Sequence, residues 1–442
     1  MRKIILIIAT ALAAMLAHAQ QGWTLQQCVD SALVHNWNVK QYNLRSKTSE
    51  INYKQAQNDR LPSLNGSGAF NLGFGSIKVS QVDPNNPNTV QYVYVNSTSK
   101  QASLGLDAGL TLYSGLRIKH NIEARNADLQ ASYAEKKLQE DNVKVNVSSA
   151  YLQVLLDKEL LQVAADQLAL TKTKIEQRKS LIDNGKMAEG EMYELESQLA
   201  KEELNKTKSE NALKLDLLTL AQLIVVKDVD NFDVYVPETF PEETLGLVSA
   251  NSIYESAVTH RPEIKSAEYR LLSSEKDVLV NKAGAYPTLS LVASSNTYYY
   301  NGTNAVNDPF SSQFKNNWNT SVGLSLKIPI FNQFQVKNSV AKAKIAVESS
   351  KVDLSTAKED LKKSIEQAYY NAVAAKSRWE AAQKSEMAAR EAYRFSNQKY
   401  EAGRASLYDL YQAKSNLTQV LGEKSQAKYE YVFRMKILEL LK

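Results

Sequence analysis

The chain has 442 residues, 43% of them hydrophobic, and a formal net charge of +5, two of whose positive charges belong to Arg2 and Lys3 at the N-terminus. So small an excess of basic residues, most of them alternating with acids, argues against a nucleic-acid partner. With four scattered histidines and one cysteine, the chain offers no metal-ligand spacing, intrachain disulfide or nucleophile-base pair, so we expect no metal site, no cofactor and no enzymatic activity.

The first predicted element is an N-terminal signal peptide. Two basic residues precede an apolar run, and the small-residue pattern Ala-His-Ala stands at 17–19. The apolar run is too short to span a membrane as a helix, so the pattern predicts a cleaved leader over residues 1–19. The mature chain then begins at Gln20 rather than at a cysteine, and no N-terminal lipid anchor is expected. We expect Cys28 to be a small buried side chain in a helix.

An internal repeat organises the remaining sequence. Asp-Ser-Ala-Leu at 30–33 matches Glu-Ser-Ala-Val at 255–258, and the same offset pairs Pro62 with Pro287. Self-similarity of this kind indicates duplicated structural units. We predict a first repeat over residues 20–226, a connector rich in acids and proline over 227–250, and a second repeat over 251–442.

Each repeat opens with a helix. Thr24 and Gln27 have the spacing of a capping box, and Ser252 and Glu255 repeat that spacing in the second half. The first helix is predicted to reach Arg60 and the second to run toward 285. A proline follows each of them and ends the helix.

Alternating apolar and polar residues then predict two strands in each repeat, about 64–76 and 100–113 in the first and 288–300 and 318–331 in the second. One face of such strands could contact lipid and the other water. An ordinary half-buried sheet shows the same alternation, but aromatic residues near the strand ends, such as Tyr113 and Trp318, favour a membrane sheet. The predicted lipid-facing row consists of Leu104, Leu106, Leu110, Leu112, Val322, Leu324, Leu326 and Ile328.

Membrane strands would have to come from several chains. No stretch after the leader reaches spanning length without charges, so a chain that crosses the membrane must do so in a closed barrel. About eight strands are the practical minimum for a bacterial membrane barrel. Four strands per chain therefore predict an oligomer.

Two stretches without proline or glycine, 116–182 and 334–402, follow the strands. At about 1.5 Å per residue each would form a helix roughly 100 Å long, which cannot be buried in the core of one globular chain and must coil against partners. Each run ends at a glycine suited to a helix C-cap, and a second helix returns. The tips of the two predicted helical hairpins lie near 183–190 and 401–408.

This combination resembles the TolC-like outer-membrane efflux protein family. The most specific segments are the strand-to-helix stretches 105–115 and 323–331 and the second tip, Tyr-Glu-Ala-Gly-Arg-Ala-Ser-Leu-Tyr-Asp at 400–409. The resemblance implies a membrane α+β fold, in which a homotrimer forms a twelve-stranded β-barrel in outer-membrane lipid, continued by a coiled-coil α-helical tunnel in the periplasm. It implies passive exit of substrates delivered by an inner-membrane pump through a periplasmic adaptor protein, in a tripartite efflux pump or a type I secretion system.

The resemblance also implies functional residues. Asp409 matches an acid that lines the channel constriction, Glu191 holds the equivalent place in the first repeat, and Gln412 stands where the family has a second acid. Acids at the start of a returning helix are also explained by the helix dipole alone. The residues expected at the hairpin tips and at the adaptor docking surface are Asn184, Gly185, Gly403, Arg404 and Ser406.

Two other functions are compatible with parts of the sequence. Four glycines between 66 and 75 could suggest a nucleotide-binding loop, but no Gly-Lys-Ser/Thr follows them. A secreted coiled-coil scaffold or adhesin stalk without a channel is the alternative that long helices alone permit. Such a scaffold has no use for lipid-facing strands, so Leu326→Arg is expected to impair membrane assembly only if the barrel exists.

Overall fold

A computed structural model describes residues 22–84, 86–183, 190–237, 249–303 and 307–442. The predicted signal peptide and the predicted tip residues Asn184 and Gly185 lie outside these ranges. Within the described ranges, no helix combines the length and the apolar character needed to cross a membrane. The described residues form two compact units, of which the second lies within Thr48–Gln130 and Tyr269–Val352 and the first comprises the other described residues.

The two halves of the chain have the same order of elements, except for one additional helix, α7. In the first half the elements are α1 (Leu25–His35), α2 (Trp37–Asn58), β1 (Ser63–Asp83), β2 (Asn86–Tyr113), α3 (Arg117–Asp183) and α4 (Gly190–Leu223). In the second half they are α5 (Ala250–Ala257), α6 (Pro262–Ala283), β3 (Thr288–Gly302), α7 (Phe310–Asn316), β4 (Asn319–Lys327), α8 (Gln335–Glu401) and α9 (Leu407–Leu441).

The opening helix of the first half begins as predicted but is interrupted. Thr24 and Gln27 form the capping box, with the Thr24 amide donating to Gln27 Oε1 over 2.9 Å. The predicted continuous helix is wrong at Asn36, whose backbone is extended and separates α1 from α2. The Asn36 side chain accepts a hydrogen bond from the Asn38 amide and donates to the Leu223 carbonyl oxygen. These bonds favour the break, because an asparagine side chain can replace the backbone partners that a helix would supply.

The second half begins differently from the prediction. Ser249, rather than Ser252, caps α5, because its hydroxyl accepts a hydrogen bond from the Ser252 amide over 3.3 Å. The predicted single helix is again divided, since α6 starts at Pro262 and the residue before a proline is disfavoured in helical conformation. Pro262 itself suits the first helical position, where no backbone N–H is required.

The four strands form one antiparallel sheet in the order β1-β2-β3-β4, within the second unit. Gly66 lies opposite Leu106, Leu110 opposite Leu291, and Leu291 opposite Leu324. Directly opposed residues of an antiparallel pair share a face, so the register places most of the predicted apolar row on one side of the sheet. Serine, asparagine and glycine occupy most of the other side.

Strand limits differ from the prediction at both ends. β1 continues to Asp83 and β2 starts at Asn86, because β-branched pairs such as Ile77 opposite Val95 extend the ladder beyond the predicted limits. β4 ends at Lys327, so the predicted row member Ile328 lies outside the strand. The partner of Lys327 is Thr288, and Pro287, which precedes Thr288, has no N–H with which to continue the ladder.

The hydrophobic core of the first unit explains how α1 is held. Cys28 and Ala32 of α1 are fully buried, as predicted for Cys28, and pack with apolar side chains of α3, α4 and α9. The Trp23 amide donates a hydrogen bond to the carbonyl oxygen of Asp233, in the predicted connector, over 2.8 Å. Burial of each large aliphatic side chain contributes about 1.5–3 kcal/mol, so this cluster is a major source of stability for the unit. Its largest fully buried members are Leu155, Leu220, Ile224, Val147 and Val154.

Candidate functional site

The tip of the second helical hairpin has the geometry that its sequence predicts. α8 ends at Glu401, and Gly403 has a φ of +68°, a left-handed conformation that glycine adopts without a steric penalty. The Arg404 amide donates to the Lys399 carbonyl oxygen over 2.8 Å, which satisfies one of the last carbonyl groups of α8. The chain therefore turns directly from α8 into α9.

Ser406 and Asp409 start α9 as a capping box. The Asp409 amide donates to Ser406 Oγ over 3.1 Å, and the Ser406 amide donates to Asp409 Oδ2 over 3.0 Å. The Ser406 hydroxyl also donates to Asp409 Oδ2, and these bonds lower the pKa of the Asp409 carboxyl. Asp409 is exposed and negatively charged at neutral pH, and Gln412 and Arg404 are exposed as well. The capping bonds account for Asp409 structurally and leave its carboxylate accessible to solvent.

Glu191 is tied to the opposite hairpin. The Tyr400 hydroxyl of α8 donates to Glu191 Oε2 of α4 over 3.0 Å, and the Arg178 guanidinium of α3 lies 4.6 Å from the centre of the Tyr400 ring. Burial, followed by the bond to Glu191, raises the pKa of Tyr400 to about 12. The hydroxyl therefore keeps its proton and can donate a hydrogen bond to the carboxylate. Tyr400 belongs to the tip motif, but its partner in the other repeat could not be identified from the sequence.

An apolar cluster with one basic side chain lies beside this bond. Leu195, Leu407 and Leu410 are buried, and four half-buried side chains pack against them. Lys174 Nζ donates to Asn397 Oδ1 over 2.7 Å, and burial lowers the pKa of Lys174 to about 8. The ends of α3, α4, α8 and α9 are thus joined by packing as well as by the Tyr400 bond. The half-buried members are Ile175, Tyr393, Tyr400 and Tyr411.

A buried ion pair lies further along the same helices, and no sequence pattern indicates it. Lys414 Nζ of α9 donates to Glu202 Oε1 of α4 over 2.8 Å, and both side chains are nearly inaccessible to solvent. The fully buried Thr171 of α3 accepts from Lys414 and donates to Glu202. Burial lowers the pKa of Lys414, which the bond to Glu202 partly offsets. One polar cluster therefore links α3, α4 and α9.

The sheet presents the second candidate site, an exposed apolar face. Val322, Leu324 and Leu326 are 71%, 67% and 60% exposed, and the other face of the same strand carries Ser321, Gly323 and Ser325. Exposed apolar patches of this extent mark a surface that contacts lipid or another protein. Most of the predicted row is exposed as well, but Leu110 is half-buried, and Leu112, although exposed, lies at an irregularity in the β2–β3 register. The remaining exposed members of the row are Leu104 and Leu106, with Ile328 beyond the strand end.

Among the described residues, no group of three or more His, Cys, Asp or Glu side chains is arranged to hold a metal ion. Three of the four histidines of the sequence, His35, His120 and His260, lie in described ranges. The chemistry of the described sites is therefore that of charged and hydroxyl side chains at the tips and of apolar side chains on the sheet.

Comparison with known proteins identifies the group to which the chain is similar. The family described as outer membrane efflux protein matches residues 28–224 and 253–438. The cation efflux system protein CusC of Escherichia coli K12 is 24% identical over 74% of this chain, and the pyoverdine export outer membrane protein OpmQ of Pseudomonas aeruginosa is 26% identical over 65% of it. These matches span 65% and 58% of the relatives' own lengths. Each is less than two thirds.

A solved structure shares the fold at low sequence identity. The Campylobacter jejuni CmeC outer membrane channel superposes with a TM-score of 0.76 and 18% identity, covering 94% of this chain and 85% of that one. A likeness at this level of identity shows a common architecture of sheet and long helices.

Proposed function

This chain belongs to the outer membrane efflux protein family, and on that premise we propose that it is an outer-membrane channel protein through which substrates of a tripartite efflux pump or type I secretion system leave the cell passively. The observation that carries the proposal is the sheet, whose apolar face is exposed while its other face is polar. In water that arrangement is costly, because burying apolar surface is worth about 25 cal/mol per Å². In a bilayer the same face is stable against lipid, and the polar face suits a water-filled lumen.

The edges of the sheet support closure by three chains. β1 and β4 are the edge strands in the order β1-β2-β3-β4, and neither outer edge is paired with another strand in the described ranges. Unpaired edges cannot face lipid, because their N–H and C=O groups would lack partners. An even number of alternating strands makes β4 of one copy antiparallel to β1 of the next. Three copies then give a homotrimer with a twelve-stranded barrel, above the minimum of about eight.

The long helices supply the periplasmic part of the proposed channel. α3 with α4 and α8 with α9 form two hairpins per chain, so a trimer supplies twelve helices for a coiled-coil tunnel. Most of the chain then lies in the periplasm. Helices this long gain stability mainly by packing side by side, because the helix propensity of their residues alone does not keep an isolated helix folded. A periplasmic adaptor and an inner-membrane pump complete the export path. The proposed docking residues are those predicted at the tips: Gly403, Arg404 and Ser406 of the second tip, and Asn184 and Gly185 of the first.

The hairpin tips carry the proposed gate. Asp409, Glu191 and Gln412 are assigned to the constriction. Three symmetry-related copies of an exposed carboxylate at a narrow neck repel one another and attract cations. The bond from Tyr400 to Glu191 joins the two hairpins of one chain and would hold this neck closed. Opening then requires that this bond and the apolar contacts around it be lost.

Electrical recording in planar lipid bilayers tests the proposed channel. The purified protein should insert and conduct ions, and Asp409→Ala combined with Glu191→Ala should change the conductance or its block by multivalent cations. Glu196→Ala is the matched control, because Glu196 is an exposed acid on the same helix as Glu191. Absence of any conductance would contradict the channel. An unchanged conductance in the double variant would contradict only the gate residues.

The scaffold or adhesin alternative does not account for the sheet. A protein that works in water would have no partner for the face formed by Leu104, Val322 and Leu324, each more than half exposed. The matched family also describes efflux proteins of the outer membrane rather than enzymes. We therefore assign the chain no catalytic residue and no cofactor.

A further inference from the structure

One part of the sheet extends beyond the strands that would form a barrel. β2 pairs with β3 only as far as Ser99 opposite Gly302, and β3 pairs with β4 only as far as Asn296 opposite Asn319. In the described ranges, the strand partners of residues 75–83 of β1 are residues 86–97 of β2, and no third strand pairs with either segment. We name these two segments the outer arm. The arm lies at the end of the sheet opposite the helices, because β1 follows α2 and β2 precedes α3 at the other end.

The distribution of apolar side chains reverses in the outer arm. In the four-stranded part, the odd-numbered residues of β1, such as Ser67, lie on the polar face together with the odd-numbered residues of β2, such as Ser103. In the arm that same face carries Ile77 opposite Val95 and Val79 opposite Val93. The even-numbered face, which is apolar in the four-stranded part, carries Lys78 and Ser80 opposite Tyr94 and Tyr92 in the arm, followed by Val82 opposite Val90 near its tip. The side that is polar in the barrel is therefore apolar in the arm.

Other aromatic residues continue this apolar side at the base of the arm. Tyr298 lies opposite Ser103 and Tyr300 opposite Gln101, so both tyrosines are on the polar face of the sheet near its outer end. Both remain exposed in the single chain. If the polar face lines the lumen, as the proposed function requires, then three chains bring a collar of tyrosines and aliphatic side chains to its outer mouth.

On the apolar side of the arm, Ile77 is exposed, and Val79, Val93 and Val95 are half-buried. A two-stranded hairpin standing alone is only marginally stable in water, so the arm needs further packing. α7 is nearby in sequence, but it packs through Phe310 on Tyr299, with ring centres 5.1 Å apart, and Tyr299 is on the other face because it lies opposite Ala102. The Gln313 amide of α7 bonds both the N–H and the C=O of Tyr300, at 3.0 and 2.9 Å, in the place of a further strand. α7 thus completes the edge of β3 and packs on the face of the sheet that carries Tyr299.

We infer that the apolar sides of three outer arms pack against one another over the channel axis and form a lid at the outer mouth. This inference rests on the proposed trimeric channel. Lipid is not the partner of this side, because it continues the face of the sheet that lines the proposed lumen. Second and third copies of the same arm present identical β-branched side chains around a threefold axis. The lid opens outward when cargo passes and hinders entry of external compounds at rest.

Disulfide trapping tests the lid. In a Cys28→Ala background, Val79→Cys places a thiol on the apolar side of the arm, and Ser80→Cys places one on the opposite face as the matched control. Mild oxidation of intact cells should link chains through Val79→Cys at least ten-fold more than through Ser80→Cys. Equal linking, or none, in a protein whose native mass is that of a trimer would overturn the lid and leave the channel standing. A monomeric native mass would overturn the proposed function, and the lid with it.

A conductance measurement provides a second readout. Val79→Lys with Val93→Lys places like charges where the three arms meet, so the lid should open and admit large external antibiotics. Ser80→Lys with Tyr92→Lys adds the same charge on the other face and should leave conductance unchanged. If the lysine variants do not assemble, Val79→Ser with Val93→Ser weakens the same contact without charge. Equal conductance and antibiotic uptake in all assembled variants would overturn the lid.

Discussion

The sheet and the helical hairpins distribute their polar groups in opposite ways. The sheet exposes leucine and valine, with Val322 71% exposed, and carries neutral polar side chains on its other face. The hairpins bury a lysine and a glutamate, and exposed charges cover their outer faces. The difference follows from the surrounding medium: water favours the charged faces of the helices, and on the proposed function lipid favours the apolar face of the sheet. It also shows that burial of charge requires a complete set of partners.

Breaking the buried ion pair should produce the largest effect on stability. Lys414→Met leaves Glu202 buried without its cation, which typically costs about 3–5 kcal/mol. Lys414→Met combined with Glu202→Leu removes both charges and should recover most of that loss, because apolar replacement of a buried pair is often nearly neutral. The measurement is the temperature at which the oligomer dissociates in detergent.

An exposed pair on the same helices provides the control. Lys172 and Glu203 lie 3.5 Å apart and are each about half exposed. Lys172→Met should change stability by less than about 1 kcal/mol, because solvent screens exposed pairs. If Lys414→Met were as mild as Lys172→Met, the buried cluster would not stabilise the contact between α9 and the first hairpin.

A charge on the apolar face of the sheet should be the next most damaging change. Leu324→Arg places a cation on the lipid side of β4, at a cost of about 2–4 kcal/mol at the middle of the bilayer. Leu324 is a better test than Leu326, because β4 ends one residue after Leu326. Ser325→Arg, on the polar face, is the matched control. The fraction of chain recovered as oligomer in the outer membrane should fall for Leu324→Arg and stay unchanged for Ser325→Arg; equal recovery would contradict the assignment of the faces.

A carboxyl pair inside the first hairpin should make stability depend on pH. Burial, and then contact with Asp216, raises the pKa of Asp157 to about 7. Asp157 Oδ2 has no hydrogen-bond donor among the described groups, so the two carboxyls are most stable when they share a proton. A raised pKa means that the native state binds more protons, so this stabilisation is full below about pH 4 and is lost as pH rises through about 7.

The expected slope is about 1 kcal/mol per pH unit near neutrality, with greater stability at pH 6 than at pH 7. Asp157→Asn keeps the shape of the side chain and removes its titration, so its dissociation temperature should vary less between these two values. A wild-type protein with the same dissociation temperature at both values would contradict the shared proton.

Removing the bond between the hairpins should have the smallest effect on stability and a visible effect on the gate. Tyr400→Phe deletes one hydroxyl and should cost about 1 kcal/mol. A change of that size shifts a two-state gate about five-fold toward the open state. Single-channel open probability is the measurement, and Tyr408→Phe, which changes a highly exposed tyrosine at the same tip, is the control. Equal open probabilities in the two variants would remove Tyr400 from the gate.

The sequence predicted helices and strands well where one periodic pattern of apolar and polar residues, or a run without proline and glycine, continues for many residues. Absence of proline and glycine predicted the long helices α3 and α8, and alternation placed Leu104 and Leu324 on a single face. The outer arm was missed because its alternation continues in phase but its polarity reverses after Gly75. The break at Asn36 depends on the bond to the Leu223 carbonyl oxygen, which is distant in the sequence.

The tips show what local pattern cannot predict. The motif at 400–409 identified the turn, and its capping bonds follow from residues three positions apart. The contacts of Tyr400 with Glu191 and of Lys414 with Glu202 join residues that are far apart along the chain. On a long amphipathic helix, lysine and glutamate are usually solvated, so only the packing of three helices shows that this pair is buried.

The central claim is that this chain forms a trimeric channel in the outer membrane, and the native mass of the protein tests it most directly. The protein should be extracted from the outer-membrane fraction with detergent, and its mass determined under non-denaturing conditions after subtraction of bound detergent. We expect the mass of three chains in that fraction. A single chain recovered from the soluble periplasmic fraction would contradict it, because the exposed apolar face of the sheet would then have neither lipid nor neighbouring chains as a partner.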